Sequence, residues 1–139
     1  MTTVYGSSGV TAHGSPRALL EQARLVLADA ARAGTAGERF SMAHLAALRT
    51  AAALFAERGR PAAARRRLVS AWALLEAVAP ELREWAVYFA AGASARAAVD
   101  AGALSAVTDR DADDQLRAAE QFLGIVETSV GLLTAPLAS

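Results

Sequence analysis

Alanine accounts for 37 of the 139 residues, while isoleucine occurs once and aromatic residues make up 6% of the chain. Alanine is the strongest helix former, and the β-branched and aromatic residues that sheets draw on are scarce, so the predicted fold class is all-α. A chain of this length makes one domain and buries roughly two-thirds of the surface its unfolded form exposes. Fourteen basic residues cancel fourteen acidic ones, and the zero net charge excludes a surface coated throughout for nucleic acid or anionic membrane. All fourteen basic residues are arginine, and lysine and asparagine are absent, so a bias in arginine usage lowers the weight of any single one.

The absence of cysteine excludes a disulfide framework, a thiolate nucleophile, haem attachment and cysteine-based zinc sites. Two histidines, His13 and His44, are too few for an all-histidine metal site, and the chain is expected to need no metal or cofactor. Beyond the N-terminus the longest uncharged stretches run from Trp85 to Ala95 and from Thr128 to Ser139, short of the roughly 20 residues that span a bilayer. No membrane association is expected. Residues 1–15 carry no basic cluster followed by an apolar run and read as a flexible tail rich in Gly, Ser and Thr, which implies a cytoplasmic protein.

Hydrophobic periodicity and end signals predict five helices over residues 16–134, with a short tail over 135–139. Ser15-Pro16 starts the first, whose stripe of Leu19, Leu20, Ala23, Val26, Leu27 and Ala30 ends at Gly34. Thr35 and Glu38 have capping-box spacing, and Phe40, Ala43, His44, Ala47, Ala51, Leu54 and Phe55 carry the second helix to about Arg58. Leu68 to Val78 is the third; Pro80 closes it and opens a fourth that runs to Gly102. Thr108 with Asp109 and Asp111 opens the fifth, where Leu116, Ala119, Leu123, Val126, Val130 and Leu133 make a nearly heptad seam. Short joints favour antiparallel neighbours, and the expected architecture is an up-and-down bundle of four to five helices.

Four stretches carry a family likeness. The run Glu38-Arg39-Phe40-Ser41-Met42-Ala43-His44-Leu45-Ala46-Ala47-Leu48-Arg49, followed by Ser70-Ala71-Trp72-Ala73-Leu74-Leu75, by Ala79-Pro80-Glu81-Leu82-Arg83-Glu84-Trp85 and by Asp111-Ala112-Asp113-Asp114, resembles small actinobacterial HEPN-domain proteins over about residues 16 to 130. The resemblance implies an α-helical bundle, a homodimer and a connection to RNA. Many members of that superfamily are metal-independent ribonucleases, often toxins paired with an antitoxin. Their active members carry an arginine, four to six residues and a histidine at the start of the late helix. In this chain that stretch is Thr108-Asp109-Arg110-Asp111-Ala112-Asp113-Asp114-Gln115, with the arginine and no histidine.

An arginine, four residues and a histidine do occur as Arg39 and His44, on the second helix. His44 has two readings: a histidine packed within the bundle, or an acid or base facing RNA with Arg39 beside it. Arg58, Arg60, Arg65, Arg66 and Arg67 put five positive charges into ten residues, either a phosphate-gripping patch or a solvated connection. No aromatic residue interleaves them, so base stacking there is unsupported. The aspartates from Asp109 to Asp114 lack the central glycine and distal glutamate of a calcium loop and fit a helix N-terminus better. Trp72, Trp85, Tyr88 and Phe89 read as core, or in part as a dimer face. Three functions follow: a non-catalytic dimerising domain that contacts RNA, a nucleotide or a protein; a ribonuclease using Arg39 and His44; or a structural protein adaptor.

Overall fold

The computed structural model describes residues 14–59 and 70–131, so His13, Leu133, Arg60, Arg65, Arg66, Arg67 and most of both expected tails lie outside the described residues. Helix α1 spans Pro16–Ala31 and α2 spans Ala36–Arg58. Ser15 Oγ accepts from the Ala18 N–H at 3.1 Å, and Pro16 occupies the first turn, where its missing N–H orphans nothing. Thr35 Oγ1 accepts from the Glu38 N–H, and α2 stops at Gly59, whose φ of +82° is backbone that glycine adopts at little cost. Helix α3, Ala71–Val78, is capped by Ser70.

The fourth expected helix is divided. A 3₁₀ turn over Pro80–Leu82 leads into α4, Arg83–Ala91, and after Gly92 the chain continues as α5, Ala93–Asp100. Gly92 lies under Phe40: a Cβ on it would stand 3.2 Å from Phe40 Cζ, so the chain passes closer to α2 there than any side chain would allow comfortably. The division lets α5 turn onto the first turns of α2, where Val99 joins Phe40, Val107 and Ala112 in a small apolar cluster of its own. Apolar periodicity runs on through Ala93 and conceals this break. A second 3₁₀ turn, Leu104–Ala106, precedes α6, Asp109–Ser129. The full reciprocal capping box forms here: Thr108 Oγ1 accepts from the Asp111 N–H and the Asp111 carboxylate accepts from the Thr108 N–H, each at 3.0 Å.

The result is the all-α bundle the composition predicts. Its centre is α2, which packs against α1, α3, α5 and α6. Being covered from several sides, α2 buries Ala43, Ala46, Ala47, Thr50, Ala51, Ala53 and Leu54, a band wider than the single stripe of a surface helix. The small alanines let its neighbours approach closely. Bulk comes instead from Trp72, Phe89 and Phe122, with Trp72 and Phe89 stacked at 5.0 Å between ring centroids. Thr50, fully buried, satisfies its hydroxyl on the Ala46 carbonyl one turn earlier at 2.9 Å.

Cross-helix contacts fix the directions. Arg39 reaches Asp113, His44 meets Gln115 and Arg58 donates to Ser129, so α2 and α6 run parallel, start beside start and end beside end. Arg24 on α1 pairs with Glu127, near the far end of α6, so α1 runs antiparallel to both. The heptad-like seam of α6 is used within the monomer: Ala119, Leu123 and Val126 are buried in the main core. Among the described residues, no helix is long and apolar enough to cross a membrane.

Replacing Phe122 with alanine should lower unfolding free energy by about 3–5 kcal/mol in a urea titration, and Ala47→Leu should cost about 1–3 kcal/mol by overfilling the α2 contact. Leu25→Ala, at a position 68% exposed, should stay within about 0.5 kcal/mol of the parent.

Candidate functional site

The described histidine lies at the junction of three helices. His44, on α2, is 2% exposed. Trp72 of α3 donates its Nε1–H to His44 Nε2 at 3.2 Å, and the Gln115 amide of α6 places Nε2 3.2 Å from His44 Nδ1. The edges of Trp72 and Phe89 enclose the imidazole, with centroids 5.5 and 6.2 Å away.

The chemistry of these three groups fixes the protons. An indole N–H is only a donor, so His44 Nε2 must carry the lone pair and the neutral ring must hold its proton on Nδ1. A proton on Nδ1 needs an acceptor, and an amide nitrogen is none. The Gln115 amide meets the need when turned by 180° about its last bond, a rotation that exchanges two ends of nearly equal size. Its oxygen then receives Nδ1–H, and one chain of hydrogen bonds runs from Trp72 through His44 to Gln115.

This arrangement also keeps His44 uncharged. Protonating Nε2 would set two N–H groups against each other. Burial is the main reason the imidazole pKa falls from 6.5 to about 4; the Arg96 charge lowers it further and Asp100 opposes the change. Arg96 and Asp100 are themselves paired at 3.2 Å, and Ser41 donates to the other Asp100 oxygen at 2.7 Å.

Arg39 does not share this interior. Five residues advance a helix by about 500°, leaving roughly 140° between the two side chains. Arg39 therefore points to the first turn of α6, where its Nη1 lies 3.3 Å from Asp113 and 3.9 Å from Asp109. The late-helix stretch that begins with Arg110 ends on Gln115, 1% exposed, which reaches His44 from the opposite helix. Arg58 spans three elements: its guanidinium meets Glu81 at 2.7 Å, the Val78 carbonyl at 3.5 Å and Ser129 Oγ at 3.3 Å. Glu81 is held below the ordinary carboxylate range, first by its own backbone N–H and then by Arg58. Arg58 thus fastens the ends of α2, α3 and α6, while the other four arginines of that series lie outside the described residues.

Two cavities adjoin along α4 and α6, sharing Tyr88 and Asp114. One, about 400 Å³, has Trp85, Glu84, Arg117 and Gln121 in its wall. The other, about 390 Å³, lies over the small cluster, with Phe40, Gly92 and Val107 in its wall, Gln115 at its buried side and Asp111 and Asp114 beside it. Burial raises the Tyr88 pKa, aided by Asp114 and Asp111, which keeps the phenol protonated. Sequence reasoning placed Trp72 in the core but assigned no role to Gln115. The available signal is a polar residue at helical spacing among Ala112, Ala119 and Phe122, next to the seam residue Leu116.

A family model described as SAV_6107-like HEPN matches residues 30–127, from the last turn of α1 almost to the end of α6. No curated protein and no solved structure matches the chain.

Two outcomes test the buried triad. Nitrogen NMR of the labelled protein should place the His44 proton on Nδ1, and a proton on Nε2 would contradict the indole bond. Because His44 titrates near 4 when folded and near 6.5 when unfolded, its contribution to stability is fully present above about pH 6.5. It is lost as pH falls toward 4, by up to about 1.4 kcal/mol per pH unit. Urea midpoints should therefore fall more steeply with acidification in the parent than in His44→Gln, which cannot titrate.

Proposed function

The chain belongs to the HEPN family, and on that premise we propose that it is a non-catalytic, dimerising member that contacts RNA through the arginine-rich stretch between α2 and α3. The observation that carries the non-catalytic reading is the state of His44: buried, neutral, and with both ring nitrogens engaged by Trp72 and Gln115. A general acid or base must exchange a proton with substrate within hydrogen-bond reach, and these partners occupy both positions through which it could do so. Arg39, facing Asp113 and Asp109, is balanced by carboxylates that would meet an incoming phosphate first.

Phosphate contact is assigned to Arg60, Arg65, Arg66 and Arg67, with Arg58 at the root of the series. No acidic residue interrupts the sequence from Arg58 to Arg67, so its formal charge is +5. Since Arg58 is already committed to Glu81, its contribution is mainly to anchor the stretch. Self-association is supported by the habit of the family and by apolar side chains left exposed at Leu25, Val87 and Ile125. The α6 seam is already buried in the monomer and does not serve it.

Incubated with RNA in EDTA, the protein should leave it intact; cleavage that disappears in His44→Ala overturns the non-catalytic reading. A labelled single-stranded RNA should bind at low salt, and neutralising Arg65, Arg66 and Arg67 together should reduce the slope of log affinity against log salt by about 2. Absence of binding even at low salt would favour a protein adaptor instead. Light scattering should give twice the chain mass at micromolar concentration, and a monomer throughout would remove the dimer.

A further inference from the structure

The two cavities between α4 and α6, about 400 Å³ and about 390 Å³, meet at Tyr88, and carboxylates stand on both sides of that junction. Glu84, in the first turn of α4, lines one cavity; Asp111, in the first turn of α6, lines the other; Asp114 lines both. Among the described residues, nothing pairs with the Glu84 side chain. Asp114 gives one oxygen to Arg117 at 3.2 Å and Asp111 gives one to the Thr108 N–H, so each retains a second. Three carboxylates and one guanidinium leave the joined lining with a formal charge of −2. Burial raises the Tyr88 phenol pKa most, Asp114 and Asp111 add to it, and Arg117 only opposes them. The potential at the junction is therefore negative.

Between these charges the lining is apolar. Trp85 and Ala118 belong to the first cavity, Phe40 and Val107 to the second, and Tyr88, 41% exposed, stands between them. The rings are already held in place: Trp85 stacks on Phe122 at 5.9 Å and Tyr88 meets Phe89 edge to face at 5.2 Å between centroids. A ligand therefore does not have to order them. The lining repels an anion, and a purely apolar molecule would strip water from carboxylates without replacing it. A single cation serves one side of Tyr88 only. We propose that the joined cavities bind a linear aliphatic diamine, with one ammonium at Glu84, the other at Asp111 and Asp114, and its methylenes across Tyr88. Such a chain lays CH2 groups on apolar surface while its charged ends stay with the carboxylates. An ammonium beside Trp85 or Tyr88 gains from the ring as well. Binding here requires neither the RNA contact nor the dimer.

The probe is 1,5-diaminopentane, long enough for its two ammonium groups to stand on either side of one aromatic ring. It is titrated into the full-length labelled protein at pH 7 and low salt, with the Tyr88 ring and the Trp85 indole N–H as readouts. Saturable shifts of both in the millimolar range are expected, as suits so small a ligand. 1-Aminopentane, with the same chain and one charge, should bind roughly fivefold more weakly. Glutarate, a dianion of the same chain length, should shift neither signal. Glu84→Gln should weaken the diamine about two- to fivefold, and Tyr88→Ala, read at Trp85, should do the same. Glu120→Gln, which removes a charge of α6 outside the lining, should leave the affinity unchanged. All three substituted positions are exposed, so each variant should fold. The site is refuted by the absence of saturable shifts, by a monoamine that binds as tightly as the diamine, or by equal shifts with magnesium chloride at the same concentration, which would mark a diffuse counter-ion effect. It is refuted equally if Glu120→Gln weakens binding as much as Glu84→Gln.

Discussion

The central position of α2 governs what every other element can do. A helix covered from several directions has almost no face on which to leave a polar group in water, so its contacts must be small and its polar atoms satisfied internally. Alanine meets the first requirement, and the second is met differently at its two deeply buried polar residues. Thr50 turns back to its own helix. His44 cannot, and is served by partners from α3 and α6. The aromatic cluster of Trp72, Phe89 and Phe122 follows from the same constraint: volume excluded from α2 is supplied by the helices around it.

Features governed by local chemistry could be read in advance. The caps at Ser15, Thr35 and Thr108 act where their positions in the sequence place them, since a hydroxyl three residues before a free N–H needs no tertiary partner to find it. The aspartates around Asp111 were legible as a helix start for the same reason. What remained hidden depended on neighbours distant in sequence. Nothing around Gly92 says that Phe40 will lie over it, and without that contact the run from Pro80 to Gly102 looks continuous. The packed reading of His44 could be framed from its place on the Phe40 and Ala47 side. Its proton, however, is set by an indole 28 residues away and an amide 71 residues away.

Charge behaves similarly. Part of the charge is balanced in local pairs: Arg24 meets Glu127, Arg39 meets Asp113, Arg58 meets Glu81 and Arg96 meets Asp100. Such pairs, each with at least one solvent-exposed partner, add little stability individually. Their larger effect is positional, because three of the four tie helices or turns that are far apart in the chain. The aspartates of α6 are engaged by Arg39 and Arg117, beside the start of α2, while Arg58 is fastened at the other end of that helix.

The division of the interior into a large core and a small one bears on how the molecule breathes. Phe40, Val99, Val107 and Ala112 form a cluster of four around the joint between α5 and α6, whereas more than twenty residues make up the main core. Opening a region costs free energy in proportion to what it buries, so the end of the bundle that holds α5 can detach at a smaller expense than global unfolding. Amide hydrogens of α5 would then exchange with solvent through partial opening, while those in the middle of α2 would wait for the whole chain to unfold. The boundary between these two cooperative units runs past Phe40 and Gly92, and anything lodged there would weld them into one.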